Sequence, residues 1–76
     1  MGLIGSQVVY RGAHGAPEQG EVTSYNGSYV FVRFSGSTSA GCAPGSLEHL
    51  DGSPVKIPHN WSVALEEERK ALAAHD

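Results

Sequence analysis

One cysteine, one tryptophan and two phenylalanines are all that this 76-residue chain holds of those types. A single thiol cannot close an internal disulfide, so the fold has to stand without that cross-link, and a lone cysteine fits a reducing compartment. Basic residues are scarce too: five Lys and Arg stand against eight Asp and Glu, a net charge of −3. That balance lacks the cationic excess that holds a phosphate backbone, and 17% charged residues is too few for a disordered acidic tail. No apolar run approaches the roughly eighteen residues of a membrane span, and Gly2, Gly5, Ser6 and Gln7 break up the N-terminus where a secretory signal would be continuously apolar. The expectation is a soluble, cytoplasmic protein.

What remains is short and turn-rich. The hydrophobic fraction is 39%, but eight of those residues are Ala, leaving about twenty large side chains for one small core. A multi-site enzyme does not fit in that length. Ten Gly and four Pro point to many tight turns between brief elements, the composition of a small β-protein.

Val8, Val9 and Tyr10 make Gln7 to Arg11 a strand, with Val8 and Tyr10 facing inward. The stretch from Gly12 to Gly20 has almost no bulky side chain and reads as a mobile loop. Asn26-Gly27 between two β-rich runs marks a hairpin. A two-residue loop would put Val22 on the face opposite Val30, Val32 and Phe34. A three-residue loop from Tyr25 to Gly27, with Gly27 left-handed, pairs Val22 with Val30 and unites the apolar set, and that register is preferred. It leaves Glu21, Thr23, Tyr29, Phe31 and Arg33 on the other face, with Glu21 and Arg33 able to approach diagonally.

Ser35 to Ser39 reads as a polar turn, Ala40 to Ala43 as a returning strand, Gly45 to Leu47 as a single helical turn and Glu48 to Leu50 as a last strand. Pro54 and Pro58 then restrain a connection to a run without Gly or Pro from Trp61 to Ala74. Trp61, Leu65 and Leu72 share one stripe of that helix, and Glu66 faces Lys70 in the favourable order. Fraying is expected after Ala71. Glu66 to Glu68 are read as an acidic first turn that complements the helix dipole. The organisation is a β-unit over residues 1–52, a Pro-containing linker over 53–60 and a docked helix over 61–74, forming a single domain.

The fold class is therefore mainly β, a small five-stranded barrel with one C-terminal α-helix. The segments Gly20-Glu-Val-Thr-Ser24, Tyr29-Val-Phe-Val-Arg-Phe34 and Pro44-Gly-Ser-Leu-Glu-His-Leu50 resemble small barrels of the Src-homology-3-like, Tudor and KOW type. They are also similar to short proteins of bacteriophages and prophages. The resemblance covers about residues 5 to 52, and it implies a binding module rather than a particular partner, because such barrels bind peptides, nucleic acids and proteins alike. The several aromatics of a Tudor cage and the basic turn of a KOW motif are not seen here.

Candidate sites follow from the outer face. Tyr29 and Phe31, with Tyr25 at the turn and Arg33 beside them, could form an aromatic surface for a peptide or a base, and Arg11 and Arg33 could make a local contact. The alternative is that Trp61 and Leu65 of the C-terminal helix cover it. Residues 1–52 carry Arg11 and Arg33 against Glu18, Glu21, Glu48 and Asp51, a net of −2, which argues against sequence-independent nucleic-acid binding. Cys42, His14, His49 and His59 lack the paired spacing of a zinc site, and nothing near Cys42 would lower its thiol pKa for catalysis with His49. No metal, cofactor or catalytic residue is expected. The reading is a non-enzymatic accessory module of phage type that binds another protein, as a monomer or weak homo-oligomer. The alternative is a nucleic-acid-binding barrel.

Overall fold

The computed structural model describes residues 2–11, 16–35 and 39–73. Five strands run in chain order, β1 (Gln7–Tyr10), β2 (Glu18–Tyr25), β3 (Val30–Phe34), β4 (Ser39–Cys42) and β5 (Leu47–His49). A 3-10 turn, Pro44–Ser46, precedes β5, and the helix α1 spans Trp61–Ala73. All pairings are antiparallel, and the sheet order is β4-β3-β2-β1-β5. The sheet is open: β4 and β5 are its two edges and do not pair with each other, so the expected closure into a barrel is not observed.

β2 begins at Glu18, inside the stretch expected to be loop, because Tyr10 pairs with Glu18 and Val9 with Gln19. Of the rest of that expected loop, Ala16 and Pro17 are exposed and outside any strand, and residues 12–15 lie outside the described residues, as do residues 36–38 of the expected polar turn. The β5 edge is covered by the chain's own return. His49 N–H donates to Ser53 O at 2.8 Å, Gly52 N–H donates to His49 O at 2.9 Å, and Pro54 bridges to Glu48. Asp51 secures this return by accepting from the Ser53 N–H and hydroxyl, which holds its carboxyl below the usual carboxylate range.

The hairpin keeps the expected apolar face but not the expected register. Val22 stands opposite Val32, not Val30, and Tyr25 stands opposite Val30. Between them the pairing shifts by one residue, so Thr23 and Ser24 together oppose Phe31. This bulge is what lets Val22 and Tyr25, three positions apart, face the same way; strict alternation would put them on opposite faces. The loop is correspondingly the four residues from Asn26 to Tyr29. It is closed by Asn26 N–H to Tyr29 O at 2.9 Å, and the Asn26 carboxamide oxygen accepts from Ser28 N–H and Tyr29 N–H, both at 2.7 Å. Gly27 is not left-handed; among the described residues only Gly5 and Gly52 have positive φ.

The core holds Leu3, Val8, Val22, Tyr25, Val30, Val32, Cys42, Leu47 and Val55, with Tyr10, Phe34 and Leu65 packed against it. No residue of α1 is itself buried. The expected stripe is thus only partly used: Leu65 packs on the core, while Trp61 and Leu72 are 36% and 57% exposed. The helix is assigned through Ala73, and residue 74 lies outside the described residues. Its first turn holds no acid, so Glu66 to Glu68 do not serve the helix dipole as expected.

Candidate functional site

The outer face of the sheet is set by the alternation that buries Val30 and Val32 and so turns Phe31 and Arg33 the other way. Phe31 stands between Ser24 on β2 and Gly41 on β4. Both neighbours are small, and the Phe31 ring lies over Gly41: a Cβ built there would come 3.2 Å from the ring. The same point is 3.8 Å from the Tyr29 Cβ, so the two aromatics flank one bare stretch of β4. Tyr29 is 51% exposed and belongs to the loop end rather than to β3.

Arg33 stands directly opposite Glu21, not diagonal to it, with the guanidinium 3.8 Å from the carboxylate and both side chains largely exposed. Such a pair contributes little, about 0–1 kcal/mol, and leaves the arginine free to exchange partners. Thr23, the bulge residue, donates its hydroxyl to Phe31 O at 3.3 Å and sits 2.9 Å from the Ser39 hydroxyl. The bulge therefore ties the start of β4 to the sheet.

The five residues expected to form a site fall in three places. Tyr29, Phe31 and Arg33 share the outer face. Tyr25 does not join them, because the bulge turns it into the core, where it is 1% exposed. Arg11 follows β1 and is ion-paired with Glu48 at 2.8 Å, across β2 from the aromatics. The α1 contacts with Trp61 and Leu65 go elsewhere: Trp61 rests against Gly27 and Leu65 against the core.

One functional-looking group escaped the sequence reading. Glu68 of α1 accepts from Ile4 N–H at 2.7 Å through Oε1 and from the Tyr25 hydroxyl through Oε2. Gly2 lies so close to this carboxylate that any Cβ there would overlap it. Burial, then the Glu68 hydrogen bond and charge, push the Tyr25 phenol well above its ordinary value of 10. Its partners are 64 and 43 residues away in sequence, so no local pattern announces it. This arrangement latches the helix to β2 and the N-terminal segment, a structural duty.

Cys42 is buried on β4, its thiol 3.6 Å from Ala40 O, and burial pushes its pKa up. That opposes thiolate formation. Among the described residues no three His, Cys, Asp or Glu gather as metal ligands; His14 lies outside them. Among the described residues, too, no helix is long and apolar enough to cross a membrane. No family model matches the chain, and no curated protein or solved structure does either.

Proposed function

We propose that this chain is a non-enzymatic protein-binding module of Src-homology-3-like architecture, which engages its partner through Tyr29, Phe31 and Arg33 on the outer face of the sheet. The architecture is supported by a five-strand order in which β5 lies beside β1 and a 3-10 turn separates β4 from β5. The function rests on one observation: two aromatics flank Gly41 on a face whose other members are small or polar, with Tyr29 half exposed. An exposed tyrosine and a half-buried phenylalanine beside a loosely held arginine have the composition of a protein-recognition surface rather than of a bare sheet face. Burial of Cys42, which pushes its thiol pKa up, disfavours its use as a nucleophile.

The test is affinity capture from the native host with the wild-type chain and with a Tyr29→Ala, Phe31→Ala double variant. The variant is expected to lose the captured protein while its Tm falls by less than about 8 °C, the shift of roughly 1 kcal/mol in a domain of this size. A much larger fall would mark the face as core, and undiminished capture would place recognition elsewhere. Capture that disappears on nuclease treatment would favour a nucleic-acid partner instead.

A further inference from the structure

We propose that the free edge of β4 receives an extended segment of the partner protein as an added antiparallel strand, carrying an apolar residue that seats on Phe31 and Tyr29 and, two positions later, an acidic residue that meets Arg33. This rests on the reading of the outer face as a protein-binding surface and specifies how the partner is held.

The two edges of the sheet are treated differently. The chain's return through Ser53 and Pro54 covers β5, whereas among the described residues β4 ends the sheet with Ser39, Ala40 and Gly41 exposed. Edges that must stay unpaired usually carry Lys, Pro or a bulge; β4 reads Ser-Ala-Gly-Cys and has none of these. Strand addition supplies main-chain hydrogen bonds for affinity and leaves specificity to alternate side chains.

Those side-chain positions are already set. Cys42 faces inward, so Gly41 and Ser39 face outward with Phe31 and Arg33 as their β3 partners. With no side chain at Gly41, the Phe31 ring lies over β4 there, and a residue opposite Gly41 on an added strand stands one strand spacing from it, about 4.8 Å, within side-chain reach of the ring. A residue opposite Ser39 lies about 10 Å from the Arg33 backbone, within the combined reach of an arginine and a carboxylate. An acid there competes with Glu21, which holds Arg33 only at 3.8 Å. Because the sheet is antiparallel throughout, the added strand in the same sense reads apolar, any, acidic.

A second copy of this chain is a poorer occupant. Its β4 offers only Ser39 and Gly41 outward, neither an apolar side chain for Phe31 nor an acid for Arg33.

The full chain, labelled with nitrogen-15, is titrated with blocked peptides of alternating Thr and Val that carry a central Leu-Thr-Asp, its reverse Asp-Thr-Leu, Leu-Thr-Asn, or Leu-Thr-Asp with alternate backbone N-methyl groups. Leu-Thr-Asp is expected to shift and protect from exchange the amides of Ser39 to Cys42. It should bind more tightly than the reverse and about tenfold or more tighter than the N-methylated peptide, since each lost main-chain bond costs about 1 kcal/mol. Arg33→Ala should weaken Leu-Thr-Asp about threefold and leave Leu-Thr-Asn unchanged. If the N-methylated peptide binds equally, with shifts only at Tyr29 and Phe31, the edge proposal is overturned while the surface reading stands. If no peptide shifts either set at millimolar concentration, both go. Shifts of β4 amides that grow with protein concentration alone would assign the edge to a second copy, and shifts caused by a single-stranded oligonucleotide would assign it to nucleic acid; each overturns the proposal.

Discussion

Glu68 is the residue on which three separate segments converge, since it accepts from Ile4 N–H and from the Tyr25 hydroxyl while riding on α1. Its loss leaves two donors without a partner in a half-buried place, so Glu68→Ala should cost about 1–3 kcal/mol, and Glu68→Gln, which keeps an acceptor oxygen, less. Urea denaturation of the two variants measures the difference; equal stability of Glu68→Ala and wild type would show that the latch carries nothing. Tyr25 adds a pH signature. Its phenol is held neutral in the folded state above the ordinary pKa of 10, so above that pH the unfolded chain has released a proton that the native chain keeps. Stability is then fully present below pH 10 and falls at higher pH by up to about 1.4 kcal/mol per unit. Denaturation curves taken between pH 9 and 11.5, approximate bounds around that value, should show this extra slope in the wild type and not in Tyr25→Phe.

At the scale of the element, β2 and β3 show how far periodicity carries. Alternation identifies Val8, Val30 and Val32 as inward, and uniting Val22 with the β3 set adds it to that face; all four are buried. It misplaces Tyr25, because one extra residue at Thr23 reverses the phase and nothing in Thr-Ser-Tyr distinguishes a bulge from a regular strand. The same slip hid the loop length, since the hairpin closes through the Asn26 side chain rather than through a left-handed Gly27. The candidate site was legible in part for the same reason: Phe31 and Arg33 follow from alternation, Tyr25 required the bulge, and Glu68 required a fold. Deleting Thr23 tests this account. The deletion makes the pairing regular and still leaves Val22 and Tyr25 on one face, so the sheet should fold, losing about 1–2 kcal/mol with the two Thr23 hydroxyl contacts. Cross-strand proton contacts between Val22 and Val32 and between Tyr25 and Val30 should survive. A deletion variant that does not fold would show that the bulge itself, through the twist it adds, is required.

The whole molecule divides into a sheet with a dense core and a helix held at few points. The core cluster is drawn from the strands, the N-terminal Leu3 and the post-strand Val55, while α1 contributes only the half-buried Leu65. Trp61, Val63 and Leu72 stay substantially exposed, and a thirteen-residue helix is marginal in water by itself. Its persistence therefore depends on Leu65, on Trp61 against Gly27 and on the Glu68 latch. Contact-poor elements open at lower free energy than the elements they pack on. Native-state hydrogen exchange should accordingly show the amides of α1 exchanging about tenfold or more faster than those of Val22, Val30 and Val32, a separation of at least roughly 1.4 kcal/mol. Glu68→Ala should accelerate exchange in α1 strongly and in β3 weakly, whereas a core change such as Val30→Ala should accelerate both, because global unfolding carries the helix with it. Uniform protection across helix and strands would contradict the division and require a docking interface tighter than three contact points supply. With the division in place, binding at the β4 edge and melting of the helix are separable events: the β4 amides sit beyond β3 from the strand α1 contacts, so a peptide added there should protect β4 without changing exchange in α1.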